Sequence, residues 1–238
     1  MVRLPFSSPP TTLHETRRPA ERLLGAMESK GSRDPRFGDL YRGFMQEYED
    51  LQHMRKVNTP TTASSLKCYL RHYRVLKESS TTTKLRVVFN GSQRTRPGTS
   101  LNLYLMTGAN LLPALTDVLL RWCWHWYVFV TDIENMYRQI LVHPEDCRFQ
   151  TILWRHNKAD EIHKYKLLTV IYGMACALFL AIRTLRQLCA DERAQFPQGA
   201  TALRRDCYVD DVVTGADNLK DAVNLQNCAI FARRADFH

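Results

Sequence analysis

The stretch Tyr208-Val209-Asp210-Asp211 constrains this chain more than any other. It lies between Arg204-Arg205-Asp206-Cys207 and the β-branched Val212-Val213-Thr214, so strands over 203–208 and 211–215 are joined by a tight turn and run antiparallel. Two adjacent carboxylates at a hairpin tip repel each other and gain nothing from burial without a cation. A divalent metal removes that cost, because Mg²⁺ takes carboxylate oxygens and keeps positions open for water and phosphates. The plainer reading is an exposed acidic turn, where Asp is common for its turn chemistry.

A second acid occupies a comparable place. Asp132 follows Tyr127-Val128-Phe129-Val130-Thr131, an apolar and β-branched run that reads as a buried strand over 126–131. An acid at the end of such a strand can face the same metal as the hairpin pair. Three carboxylates from two adjacent strands would hold a two-metal phosphoryl-transfer centre, one ion at an attacking 3′-hydroxyl and the other on a triphosphate. Taken alone, Asp132 is equally an N-cap of the following turn.

The rest of the chain is mixed. Residues 1–12 are rich in Pro, Ser and Thr and read as a disordered lead. Helices are expected over 13–30 and 37–51, the second carrying Leu40, Phe44 and Tyr48 on one face. Strands over 68–76 and 84–90, joined by Ser79-Ser80-Thr81-Thr82-Thr83, form a hairpin. Helix 111–122 precedes strand 126–131, with short strands near 139–143, 149–154 and 163–171 beyond it. A helix over 175–193 carries Phe179, Ile182, Leu185 and Leu188, and a last helix runs over 217–235. Helices first, then mixed strands and helices, give an α+β class. The division expected is a lead and first helix over 1–36, a region over 37–124, and a second over 125–238, partly interleaved.

Charge is concentrated. The formal net charge is +9, and residues 51–100 hold all of the excess, ten cations against Glu78 alone. A field of one sign attracts phosphates, so that window either meets a polyanion or is a solvated basic surface. The longest uncharged stretch, between Arg96 and Asp117, contains Asn102, Thr107, Gly108 and Asn110 and is too polar to span a membrane. Met1-Val2-Arg3-Leu4-Pro5 leads into Ser, Pro and Thr, with no apolar secretory core. Seven scattered cysteines, with no C-x-x-C pair, read as reduced thiols of an intracellular protein.

Four segments occur in a telling order: Thr81-Thr82-Thr83-Lys84-Leu85-Arg86-Val87-Val88-Phe89-Asn90-Gly91-Ser92, Asp132-Ile133-Glu134-Asn135-Met136-Tyr137-Arg138-Gln139-Ile140, Thr169-Val170-Ile171-Tyr172-Gly173, and Arg205-Asp206-Cys207-Tyr208-Val209-Asp210-Asp211-Val212. With them, residues from about 37 to 238 resemble the reverse transcriptase of Bel/Pao-type long-terminal-repeat retrotransposons. The resemblance implies a right-hand polymerase with fingers and palm, its antiparallel palm sheet carrying helices on one face. It implies copying of a primed RNA or DNA template into DNA from deoxynucleoside triphosphates, with two Mg²⁺ or Mn²⁺ ions. Asp132, Asp210 and Asp211 would be the catalytic metal ligands. Tyr137 matches a steric gate against the ribonucleotide 2′-hydroxyl; by itself it reads as a core aromatic. Lys84 and Arg86 match triphosphate-holding cations, placed by alternation on one strand face with Leu85 and Val87 on the other. Tyr172 and Gly173 match the loop that supports template and nucleotide. Arg71, Arg74 and Lys77, on the preceding strand and loop, are the template-contact candidates.

Two departures from the family pattern stand out. Leu178 occupies the place where the family carries a Pro shortly after the glycine. No primer grip, thumb or RNase H region follows the last helix, and no Asp-Thr-Gly or Asp-Ser-Gly protease triplet occurs. The expectation is therefore a polyprotein fragment with the thumb absent, its remainder a possible partner, within a cytoplasmic particle. The alternative is a non-catalytic nucleic-acid-binding remnant. A small α+β interaction protein would need both the charge asymmetry and the motif order to be accidental.

Overall fold

The computed structural model describes residues 1–10, 13, 15–57, 68–76, 85–95 and 98–234. Along the chain these form α1 (Arg17–Arg33), α2 (Pro35–Asp50), β1 (Met54–Lys56), β2 (Arg71–Leu76), β3 (Leu85–Asn90) and the single turn α3 (Leu101–Tyr104). There follow α4 (Leu115–Trp124), β4 (Tyr127–Asp132), β5 (Thr151–Trp154), β6 (His163–Leu167), α5 (Ala177–Asp191), α6 (Pro197–Asp206), β7 (Cys207–Tyr208), β8 (Asp211–Ala216) and α7 (Leu219–Arg234). The strands pair antiparallel in three small sheets, ordered β1-β6-β5, β2-β3 and β4-β8-β7. Helices beside small antiparallel sheets make the chain α+β, as expected. Among the described residues, no helix is long and apolar enough to cross a membrane.

The chain divides into two compact units, one from Met1–Thr107 with Leu141–Ala177 and the other from Gly108–Ile140 with Leu178–His238. Segment 141–177 therefore belongs with the first unit, although the sequence grouped it with the second. The reason is pairing: β6 lies between β5 and β1, with Met54 opposite Leu167.

In the first unit, Asp34 accepts from the Phe37 backbone N–H and Pro35 opens α2, which fixes where that helix starts. The stripe that α2 buries is Phe37, Tyr41, Met45 and Tyr48, one residue out of phase with the expected Leu40, Phe44 and Tyr48. α1 begins differently. Its N-cap Thr16 leaves the helix uncapped and pins Tyr69 instead, accepting from Tyr69 N at 2.6 Å and donating to Tyr69 O at 2.9 Å. At the other end, Arg155 grips Glu28 with two bonds of 2.7 Å, tying β5 to α1.

The N-terminal segment is not a disordered lead. Leu4 is buried, Val2 bridges Val142, and Arg3 holds Asp146 through two hydrogen bonds of 2.8 and 3.0 Å. Proline and serine content misled here because it ignores an apolar anchor every few residues. The expected strand near 139–143 is also absent: Met136–Gln139 is a 3₁₀ turn, and Leu141 makes only a single bridge, to Thr169.

His72 joins α2, β2 and β5. Its Nε2 lies 2.9 Å from the Leu153 carbonyl and its Nδ1 faces the Tyr41 hydroxyl. A carbonyl only accepts, so Nε2 carries the proton and Nδ1 accepts from Tyr41. Burial lowers the His72 pKa below its ordinary 6.5, opposed by the Leu153 bond. The folded state then binds fewer protons than the unfolded one, so this contribution to stability is complete above about 6.5 and is lost as pH falls below it. Urea midpoints should drop between pH 7.5 and 5 in the natural chain and drop less in His72→Gln. Equal slopes would remove His72 as the cause.

In the second unit, β8 is central, with α4, α6 and α7 packed against it and Val212, Thr214 and Ala216 buried. Residues 203–206 continue α6 rather than starting a strand, because β7 needs only two residues to close the hairpin. β4 is not the buried strand its composition suggested. It is an edge strand, with Val128 and Val130 44% and 54% exposed. Apolar, β-branched composition marks a strand but does not distinguish a central one from an edge.

Candidate functional site

The three acids singled out from sequence all lie at one end of the β4-β8-β7 sheet. Asp132 is the register partner of Asp211, and Tyr208 faces Asp211 from the other side. Directly paired residues in an antiparallel ladder have Cα atoms about 4.5–5.5 Å apart and side chains on the same face. The Ile133 N–H donates to the Asp210 carbonyl at 2.7 Å, which fixes the hairpin tip against the end of β4. The strand ends thus set Asp132 opposite Asp211, with Asp210 next in the chain at the hairpin tip.

The tip itself is strained. Val209 has φ 61°, the left-handed region that L residues with a branched Cβ avoid at a cost of about 1–2 kcal/mol. A two-residue hairpin loop with positive φ at its first central position is type II′, usually supplied by glycine. The strand pairs on either side hold Val209 there.

Partial desolvation raises the Asp211 pKa, and Asp210 raises it further. Beneath them the Cys207 thiol is pushed up to about 12 by burial, with Cys189, Asp210 and Asp211 adding to the shift. Burial is the larger cause of both shifts, and neighbouring carboxylate charge adds to each. Among the described residues, no three His, Cys, Asp or Glu side chains already enclose a metal position. The backbone brings the acids side by side, and enclosing an ion between them falls to side-chain rotation.

Sequence reasoning missed Asp206, one turn below the tip. It is buried, accepts from Arg121 Nε at 3.0 Å and from the Thr214 hydroxyl at 3.0 Å, and so ties α6 to α4 and β8. The Arg121 guanidinium also reaches the Arg205 carbonyl. The only signal in the sequence was an acid beside a strand with no acid-binding motif of its own.

Among the candidates outside the carboxylates, Tyr137 lies in the 3₁₀ turn and is 7% exposed, placing its ring in the interior. That is the position of a core aromatic, the reading Tyr137 carries apart from its motif.

The first unit holds the remaining candidates. Arg86 is exposed on β3 while Leu85 and Val87 are buried, as alternation predicted; Lys84 lies outside the described residues. Gly173 adopts φ 99°, and a Cβ on it would lie 2.2 Å from the Phe89 carbonyl, so only glycine lets this loop cross β3. Tyr172 beside it is 42% exposed. Asn102, which no motif flagged, clamps the same loop: its Nδ2 donates to Gly173 O at 2.8 Å and to the Ser92 hydroxyl at 2.7 Å, and its Oδ1 accepts from Ala175 N at 3.0 Å. Leu178 stands exposed in the first turn of α5, which forms without the family's proline.

Arg71 and Arg74 do not form one template-facing row. Three positions apart on β2, they point to opposite faces, and the Arg74 guanidinium lies 3.6 Å above the Phe37 ring. Lys77 lies outside the described residues. No protein-family model matches the chain, and no curated protein matches it. The functional reading rests on the residues and their geometry.

Proposed function

We propose that the chain is the fingers-and-palm part of an RNA-directed DNA polymerase. The observation that carries this reading is the pairing of Asp132 with Asp211 at the open end of an antiparallel sheet, with Asp210 at the adjoining hairpin tip. The order of the four motif segments supports it, as does the basic window over 51–100. In this reading Asp132, Asp210 and Asp211 hold Mg²⁺ or Mn²⁺. The ions would supply activation of the primer hydroxyl and neutralisation of the triphosphate. The chain's own contribution would be to set the three acids at one sheet end, from which side-chain rotation could close them on an ion, and to present Arg86 to an anion. Gly173, with Asn102 behind it, keeps the Tyr172 loop close to β3.

Primer extension on a homopolymer RNA template with Mg²⁺ or Mn²⁺ tests the proposal, comparing the chain with its Asp210→Asn, Asp211→Asn double variant. Metal-dependent extension lost in the double variant is the expected result. The second reading is a nucleic-acid-binding remnant without catalysis, with the buried Tyr137 serving only as a core aromatic. Primer–template binding with no extension under either metal would select the remnant.

A further inference from the structure

On the sheet of the first unit, cations line up where none was singled out. Arg55 of β1 is the register partner of Lys166 of β6, and Lys166 is flanked on its other side by Thr151 of β5, so the three side chains share one face. Like charges directly opposite each other destabilise a strand pair, by roughly 0.2–1 kcal/mol. Arg148, in the turn just before β5, is tied to the Thr151 end of this row through its backbone, where the Thr151 hydroxyl donates to the Arg148 carbonyl at 3.0 Å. Burial raises the pKa of the Cys147 thiol while Lys166 and Arg55 pull it back, which places both cations toward the turn that carries Arg148.

No acid answers this charge among the described residues. The nearest, Asp146 and Glu145, are taken by Arg3 at 2.8 and 3.1 Å, and the Leu4 N–H also binds Asp146 at 2.9 Å. Across the unit, Glu49 is paired with His156 at 2.9 Å. The row keeps its positive field, and what it lacks is an anion.

Its chemistry distinguishes among anions. Arg148 is exposed, and its guanidinium carbon lies 4.8 Å above the centre of the buried Phe149 ring. The guanidinium thus lies beside an aromatic while Arg148 stays exposed to solvent, where a flat partner can reach it. Unpaired bases stack on arginine planes in this way. Neither a lipid headgroup nor a carboxylate peptide supplies a base. Neighbouring strands lie about 4.8 Å apart, so Arg55 and Lys166 present two positive groups within reach of consecutive phosphates.

We propose that Arg55, Lys166 and Arg148 form a binding surface for single-stranded nucleic acid, the first two on phosphates and Arg148 on phosphate and base. The surface shares with the polymerase reading only the nature of the ligand, and it is independent of the carboxylates.

The test measures anisotropy of a fluorescein-labelled 20-nucleotide uridine strand against the whole chain over a range of salt. The triple variant Arg55→Gln, Lys166→Gln, Arg148→Gln should bind more weakly and flatten the slope of log K against log salt by about 2, at roughly 0.7 per phosphate contact in a single strand. A control triple, Arg18→Gln, Arg36→Gln, Lys158→Gln, removes the same charge from exposed positions of the same unit and should leave most of the slope. Equal flattening by both triples would reduce the row to diffuse charge and overturn the proposal, as would a natural chain that does not bind the strand at low salt. Vesicles containing phosphatidylserine form a second arm: a triple variant that loses vesicle binding and keeps the strand would assign the row to a membrane instead. Arg148→Gln alone, an exposed change that leaves the sheet intact, should take about a third of the effect. Primer extension run in parallel separates the two readings. Extension intact with strand binding unaffected in the triple variant overturns the surface and leaves the polymerase, whereas strand binding lost in the triple variant of an inactive chain does the reverse.

Discussion

Asn at position 132 and Asn at position 211 should each slow primer extension by at least about 100-fold, and the two together should cost little more than the worse one alone. Stabilisation of developing charge by a metal is worth several kcal/mol, and about 2.7 kcal/mol corresponds to that factor. The non-additivity follows from the register. Asp132 and Asp211 are direct partners across β4 and β8, so in the proposed polymerase they would act on the same ions and removing either would disable a shared centre. Asp210 sits at the tip rather than in the ladder, and its carbonyl keeps the Ile133 bond after Asp210→Asn. Rates measured under single-turnover conditions for the two single variants and the double one decide the matter. Multiplicative losses, with the double near 10⁴-fold, would mean that the two carboxylates serve different steps, and the shared-metal assignment would fall.

A second large effect belongs to stability. Arg121→Met should lower the unfolding free energy by about 3 kcal/mol, because breaking a buried ion pair from one side costs about 3–5 kcal/mol and Arg121 is partly solvated, 29% exposed against 9% for Asp206. The methionine keeps most of the packing, so the loss reports the carboxylate left with only the longer Arg205 pair, at 3.8 Å. Thr214→Val removes one neutral donor to the same carboxylate and should cost about 1 kcal/mol. Combining Arg121→Met with Asp206→Leu should recover much of the loss, since an apolar pair of similar volume needs no compensation. Urea unfolding of the four chains measures all three. If Arg121→Met is neutral, Asp206 is adequately solvated and does not tie α4 to the hairpin.

The hairpin at 208–211, the β2–β3 pair and the outward face of Arg86 could all be read from sequence, because each depends on alternation and turn chemistry within a few residues. So could the meeting of Asp132 with Asp211, although by likeness of motif rather than by any local rule. What escaped was set by distant partners. β4 looked buried, yet its place at the sheet edge depends on which strands are its neighbours. Arg71 and Arg74 read as one basic group, but strand alternation separates them and Phe37, far away in sequence, claims Arg74. Tyr137 matched a motif position, whereas its burial is decided by the fold around the 3₁₀ turn. Asn102 and Asp206 carried no signal of their own, since their work is to satisfy backbone or side-chain groups many residues away.

The interleaving of the two units also sets an order of events during synthesis. β4 leaves the ribosome about 80 residues before β8, the strand it must pair with. At about 5–20 residues per second that interval is roughly 4–16 s. Throughout it, Val128 and Val130 have no sheet to join, while β5 and β6 are made in between and can already complete their own sheet with β1. The first unit therefore becomes whole while only about a third of the second has been made, and the apolar strand that carries Asp132 waits unpaired. Slow codons placed between 178 and 210 would lengthen that exposure, and a holdase acting on the nascent chain would find its target at residues 127–132.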